Sequence, residues 1–285
     1  MTLHERLERT KTSVAVLALV AIAAAAAGCG EVGSGPNAPA AIELQPLNAY
    51  APVVGDSLRD VDGVAVPLHA IVRNLKGDII PDAPVRYTYA DATRDTAIFV
   101  DSITGYIVAL KPLALSTPTA RIAARVGNSL QIIRTIAVAL RPDSADRGGI
   151  SSVTTMIVSP PDTGAAGVAA NTSAGLGVYV RHIAGDTVSV VPNFLVKFQL
   201  IRPANPNNDS TKSVFLVDDQ SRTSNIDTTD GSGLVSRYVR VRASQFPTSD
   251  LLDSAVVLVN VTYRGKSVKG APIKIVVPIQ QKPKN

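Results

Sequence analysis

Leu68-His69-Ala70-Ile71-Val72-Arg73-Asn74-Leu75-Lys76-Gly77-Asp78 aligns without gaps on Leu176-Gly177-Val178-Tyr179-Val180-Arg181-His182-Ile183-Ala184-Gly185-Asp186. The offset is 108 residues, and five of eleven positions are identical. In each copy the apolar residues from Leu to Val recur with period two, the signature of a half-buried strand. Arg and polar residues then turn outward, and Gly-Asp supplies a tight turn. The same texture continues on both sides. Short alternating runs at 42–44, 66–72, 85–89, 107–110, 120–126 and 132–140 are separated by Gly, Asp, Asn and Pro. They resume at 153–158 and continue through 176–180, 194–201, 214–217, 234–241, 255–263 and 273–279. No sustained 3.6-residue period appears after the apolar N-terminal run. The expected class is all-β, as antiparallel β-sandwiches.

Composition sets the outer limits. The 285 residues are 46% apolar and 18% charged, so the chain has enough apolar surface to bury real cores. At about 100–150 residues per domain there is room for two. A single Cys, Cys29, excludes a disulfide framework and any multi-Cys metal site. Three His and no Trp leave little material for metal or acid–base chemistry. The net charge of +5 is spread along the chain and reads first as a solvated surface. A patch for anionic polymers or lipid headgroups is the lesser reading.

The first 28 residues read as a signal peptide. Arg6, Arg9 and Lys11 outnumber Glu5 and Glu8, and residues 14–27 are an unbroken apolar run of 14. A membrane-spanning helix needs about 20. A basic start, a short apolar run and small residues at its end mark a secretory signal. Ala26-Ala27-Gly28-Cys29 resembles the bacterial lipobox, whose Cys becomes the lipid-bearing N-terminus. Ala26 departs from it, because Leu is usual there. The resemblance implies lipidation at Cys29, with plain cleavage as the alternative. Acyl chains add ~0.8 kcal/mol per buried CH₂, so several together anchor a protein stably. Gly30 rather than Asp after the Cys points to the outer membrane. Cleavage leaves 257 residues and moves the net charge only from +5 to +4.

The expected organisation is a signal peptide at 1–28 and a flexible tether at 29–40, followed by a sandwich at 41–140. A polar linker at 141–151 then precedes a second sandwich at 152–280 and a tail at 281–285. Residues 41–140 resemble bacterial Ig-like domains of the intimin/invasin type, particularly bacterial Ig-like type 2. The resemblance rests on Ala41-Ile42-Glu43-Leu44, Gly55, Gly77-Asp78 and Val85-Arg86-Tyr87-Thr88-Tyr89. It continues through Val100-Asp101-Ser102-Ile103-Thr104-Gly105-Tyr106-Ile107-Val108 and the run 119–127. Tyr87 stands where Trp is common, and residues 56–63 form an insertion. The second half is similar more loosely, through Asp227-Thr228-Thr229-Asp230-Gly231-Ser232-Gly233 and a closing hairpin around Arg264-Gly265. The resemblance implies two Ig-like sandwiches in tandem, acting as spacers or adhesive modules. It implies no shared catalytic site.

Other constellations have plain readings. Gly28-x-Gly30-x-x-Gly33 spells a dinucleotide fingerprint but opens no helix after a strand. Gly265-Lys266-Ser267 reads as a hairpin turn. His69 and His182 lack partners at ligand spacing. Asp60-x-Asp62-Gly63 and Asp227-x-x-Asp230-Gly231 offer oxygens for Ca²⁺, but Asx turns explain them equally well. Asn171, Asn208 and Asn260 head sequons that read as chance matches in a bacterial lipoprotein. The sequence therefore predicts no enzyme, cofactor, metal or nucleic-acid partner. It predicts a lipid-anchored envelope protein that displays, spaces or binds an unidentified protein or polysaccharide. The alternative is an accessory glycan- or polymer-binding component of an envelope enzyme system. Metabolic labelling with a fatty-acid analogue should mark the wild type and not Cys29→Ala; equal labelling of both would remove the anchor.

Overall fold

The computed structural model describes residues 35, 37–45, 47, 49–91, 97–112, 119–128, 130–149, 152–160, 164–245 and 253–281. The signal peptide and Cys29 lie outside them. Strand β1 (Ala41–Leu44) pairs antiparallel with β2 (Ala70–Arg73), from Ala41↔Arg73 to Leu44↔Ala70. After β3 (Arg86–Tyr89) comes a hairpin of β4 (Ile98–Val100) and β5 (Ile107–Ala109). Here the period-two reading is literal: Ile98, Val100, Ile107 and Ala109 are buried, while Phe99 is exposed. Strands β6 (Ala120–Val126) and β7 (Leu130–Ile136) complete a three-stranded sheet of order β3-β6-β7.

The remainder begins with β8 (Ser144–Asp146) and β9 (Met156–Val158), then a short helix α1 (Gly164–Ala170). A long hairpin follows, β10 (Val178–Ala184) and β11 (Thr187–Val190). Next come β12 (Leu195–Arg202), β13 (Val214–Val217), β14 (Ile226–Thr228), β15 (Leu234–Val235) and β16 (Tyr238–Val241). The chain closes with β17 (Ser254–Asn260), the small hairpin β18 (Thr262–Tyr263) and β19 (Lys266–Ser267), and β20 (Ile273–Gln281). One sheet has five strands in the order β14-β12-β17-β20-β9, with β9 joining β20 in parallel. A second runs β11-β10-β15 with β8 also on β10, and β13 pairs with β16. The inward residues of these sheets form one apolar core. Val178 and Val180, Val196 and Phe198, Val257 and Val259, and Ile275 and Val277 all belong to it. The fold class is all-β.

Two compact units result. One comprises the described residues up to Leu44 with Ala70–Arg86 and Ala124–Ile132. The other comprises Gln45–His69, Tyr87–Ala123 and the chain from Ile133 onward. The division does not follow the expected linker at 141–151, and that expectation is corrected. Ser144–Asp146 is a strand, paired as Ser144↔Arg181 and Asp146↔Tyr179, and Ala145 is only 5% exposed. The Ala145 and Lys269 amides donate to Lys269 and Asp143 carbonyls, respectively. Asp143 also accepts from Arg141 Nε at 2.7 Å and from the Ile183 amide at 2.9 Å. A strand with one inward residue carries almost no hydrophobic signal, so it reads as a polar connector. Val53 and Ala139 share the core of the strands that follow.

Phe198 is fully buried, with 0% exposure, amid valines that cannot expand to fill its place. Phe198→Ala should lower unfolding free energy by about 3–5 kcal/mol. Urea titration of the full chain measures it, and a loss below the cost of a surface change would contradict this core.

Candidate functional site

The residues singled out in the sequence are spent on structure. Asp60 Oδ1 accepts the amides of Asp62 and Val64 at 3.0 and 2.9 Å. Asp230 Oδ1 accepts the Ser232 and Leu234 amides and the Ser232 hydroxyl at 2.7–3.0 Å. Those bonds, led by the Ser232 hydroxyl, hold its carboxyl below the usual range. Asp227 takes the Ser236 amide and pairs with Arg237, both at 2.9 Å. Among the described residues no group of three His, Cys, Asp or Glu could hold a metal ion. Two glycines that close Asp-led turns, Gly233 and Gly105, are fixed there by sterics. A Cβ on Gly233 would lie 2.8 Å from the Val180 carbonyl oxygen, and one on Gly105 would lie 2.6 Å from that of Leu68. Both glycines have positive φ, so the turn needs Gly twice over.

His69 is exposed. His182 Nδ1 lies 2.7 Å from Asp143 Oδ2, in the strand junction described above. Arg264 and Gly265 form the two-residue turn of the β18–β19 hairpin, with Arg264 at φ 51°. Asn171 and Asn208 are buried, and their side chains bond backbone carbonyls. Gly28, Gly30, Gly33 and Cys29 lie outside the described residues.

Two features escaped the sequence reading. The first is an ion cluster. Asp56, 6% exposed, receives Arg59 through two nitrogens at 2.8 and 2.9 Å and Arg264 Nε at 2.8 Å. The Ser57 amide donates at 2.8 Å. Burial alone would push this carboxyl up. The hydrogen bonds from Arg59, Arg264 and Ser57 outweigh that and hold it well below the ordinary carboxylate range. Arg59 also donates to the Gly63 carbonyl at 2.8 Å, and Lys197 reaches Asp62 at 2.7 Å. A narrow cleft beside the cluster, lined in part by Arg59, Asn193 and Tyr263, has only about 20 Å³. That is room for about one water, so the cluster is structural.

The second is an open cleft of about 460 Å³ among α1, β13, β16 and the turn Ala243–Gln245. Such a volume falls within the roughly 300–1,000 Å³ of small-molecule sites. Its lining includes Val168, Phe215, Ser221, Arg240, Arg242 and Gln245. Arg240, 6% exposed, donates to the Gly167 and Val168 carbonyls at 3.1 and 2.6 Å. The Arg242 guanidinium sits 5.1 Å from the centre of the Phe215 ring. No sequence signal marked this place, because its residues come from three separate segments.

No protein-family model and no curated protein sequence matches the chain. Solved structures align with it in part. The S-layer protein rSbsC(31-844) is 13% identical, with 85% of this chain and 28% of that one covered, at a TM-score of 0.28. The Yersinia pseudotuberculosis adhesin InvE is 14% identical, with 84% and 58% covered, at 0.30. Human protocadherin-24 EC1-2 is 13% identical, with 86% and 100% covered, at 0.26. The chain thus spans 28% and 58% of the first two proteins' own lengths. Superpositions this loose carry no argument, and the fold class rests on the strands themselves.

The ion cluster makes stability pH-dependent. A carboxyl depressed in the folded state stabilises fully above its unfolded value, near pKa ~3.9, and loses that contribution as pH falls below it. Asp56→Asn should cost about 1.5–3 kcal/mol at neutral pH, the worth of charged hydrogen bonds. It should also flatten the acid limb of the stability curve. Urea midpoints across the acid range check both, and parallel curves for the two proteins would contradict the assignment.

Proposed function

We propose that this chain is a non-catalytic component of the bacterial cell envelope, lipid-anchored at Cys29, which holds a rigid β-sandwich framework away from the membrane and binds through its loops. The observation that carries the reading is the order of the chain. A 14-residue apolar run is followed, after Gly28, by the sole Cys, then by Gly- and Pro-containing sequence and an all-β body. The body supports it. Its turn carboxylates are consumed by backbone amides and guanidinium groups, which suits a scaffold. Among the described residues no helix is long and apolar enough to cross a membrane. The outer membrane is the proposed location, from Gly30 after the Cys.

A second reading, an accessory glycan- or polymer-binding component of an envelope enzyme system, is favoured by the basic cleft near α1. Binding and display are compatible, because both need the loops exposed and the framework rigid. Protease added to intact cells should degrade the chain while a periplasmic marker survives. Protection equal to the marker's would place the chain inside the envelope and reject surface display.

A further inference from the structure

We propose that the turn after β2, tipped by Leu75 and Ile79, seats in the surface of the lipid bilayer to which the chain is anchored. This rests on the lipid anchor at Cys29 proposed above. It adds a second, non-covalent contact that sets how the unit containing β1 and β2 meets the membrane.

The turn is built by Asn74. Its side-chain oxygen accepts the amides of Lys76 and Asp78 at 2.9 and 3.0 Å, and its own amide donates to the Asp78 carbonyl at 3.0 Å. These bonds hold residues 75–77 out at the end of the strand, where polar side chains are the ordinary choice. Leu75 is instead 84% exposed, the most exposed large apolar side chain among the described residues, and Ile79 is 57% exposed. Neither contributes to a core, so folding does not explain them. The second copy of the repeat shows the difference. There the equivalent residue, Ile183, faces Val188 across the β10–β11 hairpin and is 39% exposed. Leu75 lies within its turn, and among the described residues no strand residue stands opposite it.

Chain order says what covers the tip. β1 runs antiparallel to β2 with Ala41 facing Arg73, and the Ala40 amide donates to the Arg73 carbonyl at 2.8 Å. The chain arriving from Cys29 therefore enters at the end of β2 that carries the turn. Ala40 lies eleven residues after Cys29, a span of at most about 40 Å even when fully extended. The anchor thus keeps the turn within reach of the bilayer whatever path those residues take, whereas nothing comparable holds a second copy there. The chemistry matches as well. Two branched aliphatic side chains with a lysine between them bury carbon below the headgroups while the ammonium stays among the phosphates. Lys76 and Asp78, both exposed in the turn, offset each other's charge, so the contact is apolar rather than electrostatic.

The test couples the mature chain through the Cys29 thiol to a maleimide lipid in vesicles of phosphatidylethanolamine and phosphatidylglycerol. The anchor is then present whether or not cells attach one. The chain has no Trp, so Leu75→Trp supplies a single reporter. On vesicles its emission should shift to the blue and be quenched by lipids brominated in the acyl chains, at low and high salt alike. His69→Trp, exposed just beyond the other end of β2, should show neither effect. Adding Ile79→Asp to Leu75→Trp should lower the ratio of seated to free turns about tenfold, the lower end of what burying one such side chain supplies. All three positions are exposed, so the changes leave folding intact. Emission of Leu75→Trp unchanged on vesicles, equal quenching of His69→Trp, or loss of quenching at high salt would overturn the proposal. So would a blue shift that grows with protein concentration without vesicles, which would assign the turn to a second copy. Because the anchor is supplied chemically, these outcomes are separate from the fatty-acid labelling that tests lipidation at Cys29.

Discussion

One buried carboxylate ties the beginning of the main unit to its end. Asp56 lies in the insertion at 56–63, and Arg264 lies in the C-terminal hairpin, 208 residues away. Stripping water from a carboxylate costs several kcal/mol, so its burial is stable only if most of its lone pairs are used. Arg59 approaches through two nitrogens, Arg264 through one and the Ser57 amide through another. Arg59 then reaches the Gly63 carbonyl, and Lys197 holds Asp62, so the insertion is fixed along its length. The arrangement is local in charge but long-range in sequence. It keeps Gln45–His69 with the strands that follow Ile133 rather than leaving it as a surface excursion.

The duplicated stretch shows how one strand pattern serves two settings. Leu68 and Leu176, and Val72 and Val180, are buried in both copies. Arg73 and Arg181 both point outward to acidic partners, Glu43 and Asp146. The copies part at the next residue. Asn74 turns its side-chain oxygen onto the amides of Lys76 and Asp78 at 2.9 and 3.0 Å, which ends the first strand. His182 makes no such turn, and the second strand runs on to Ala184 before the hairpin closes. Each copy also has an antiparallel neighbour at the same place: Ala41 faces Arg73, and Ser144 faces Arg181. Ser144–Asp146 is therefore the counterpart of the opening strand Ala41–Leu44. The repeat itself held the signal that a strand precedes the second copy closely; the polar spelling of 141–149 concealed it.

Sheets that lock their own turns leave few groups for anything else. The carboxylates of Asp60, Asp101 and Asp230 accept backbone amides within their own turns. The α1 cleft stands apart, because its guanidinium groups line an open volume.

Alternation alone determined the class of this protein, since period-two burial with turn residues between runs has few solutions other than antiparallel sheets. Chain order and composition likewise carry the proposal of an export signal and of a lipid site at Cys29. The Asp-to-Gly turns were legible as Asx turns beside a Ca²⁺ alternative, whereas the steric need for Gly233 comes from the Val180 carbonyl packed against it. Tertiary structure decided the rest. Strand Ser144–Asp146 exists because its backbone completes the edge of β10, a hydrogen-bonding reason that leaves little trace in side chains. Asp56 is buried because two arginines, one of them distant, surround it. The basic cleft exists because α1, β13 and β16 bring Val168, Phe215 and Arg242 together. Local sequence encodes period and turn chemistry, whereas pairing across a hundred residues or more depends on which surfaces close the core together.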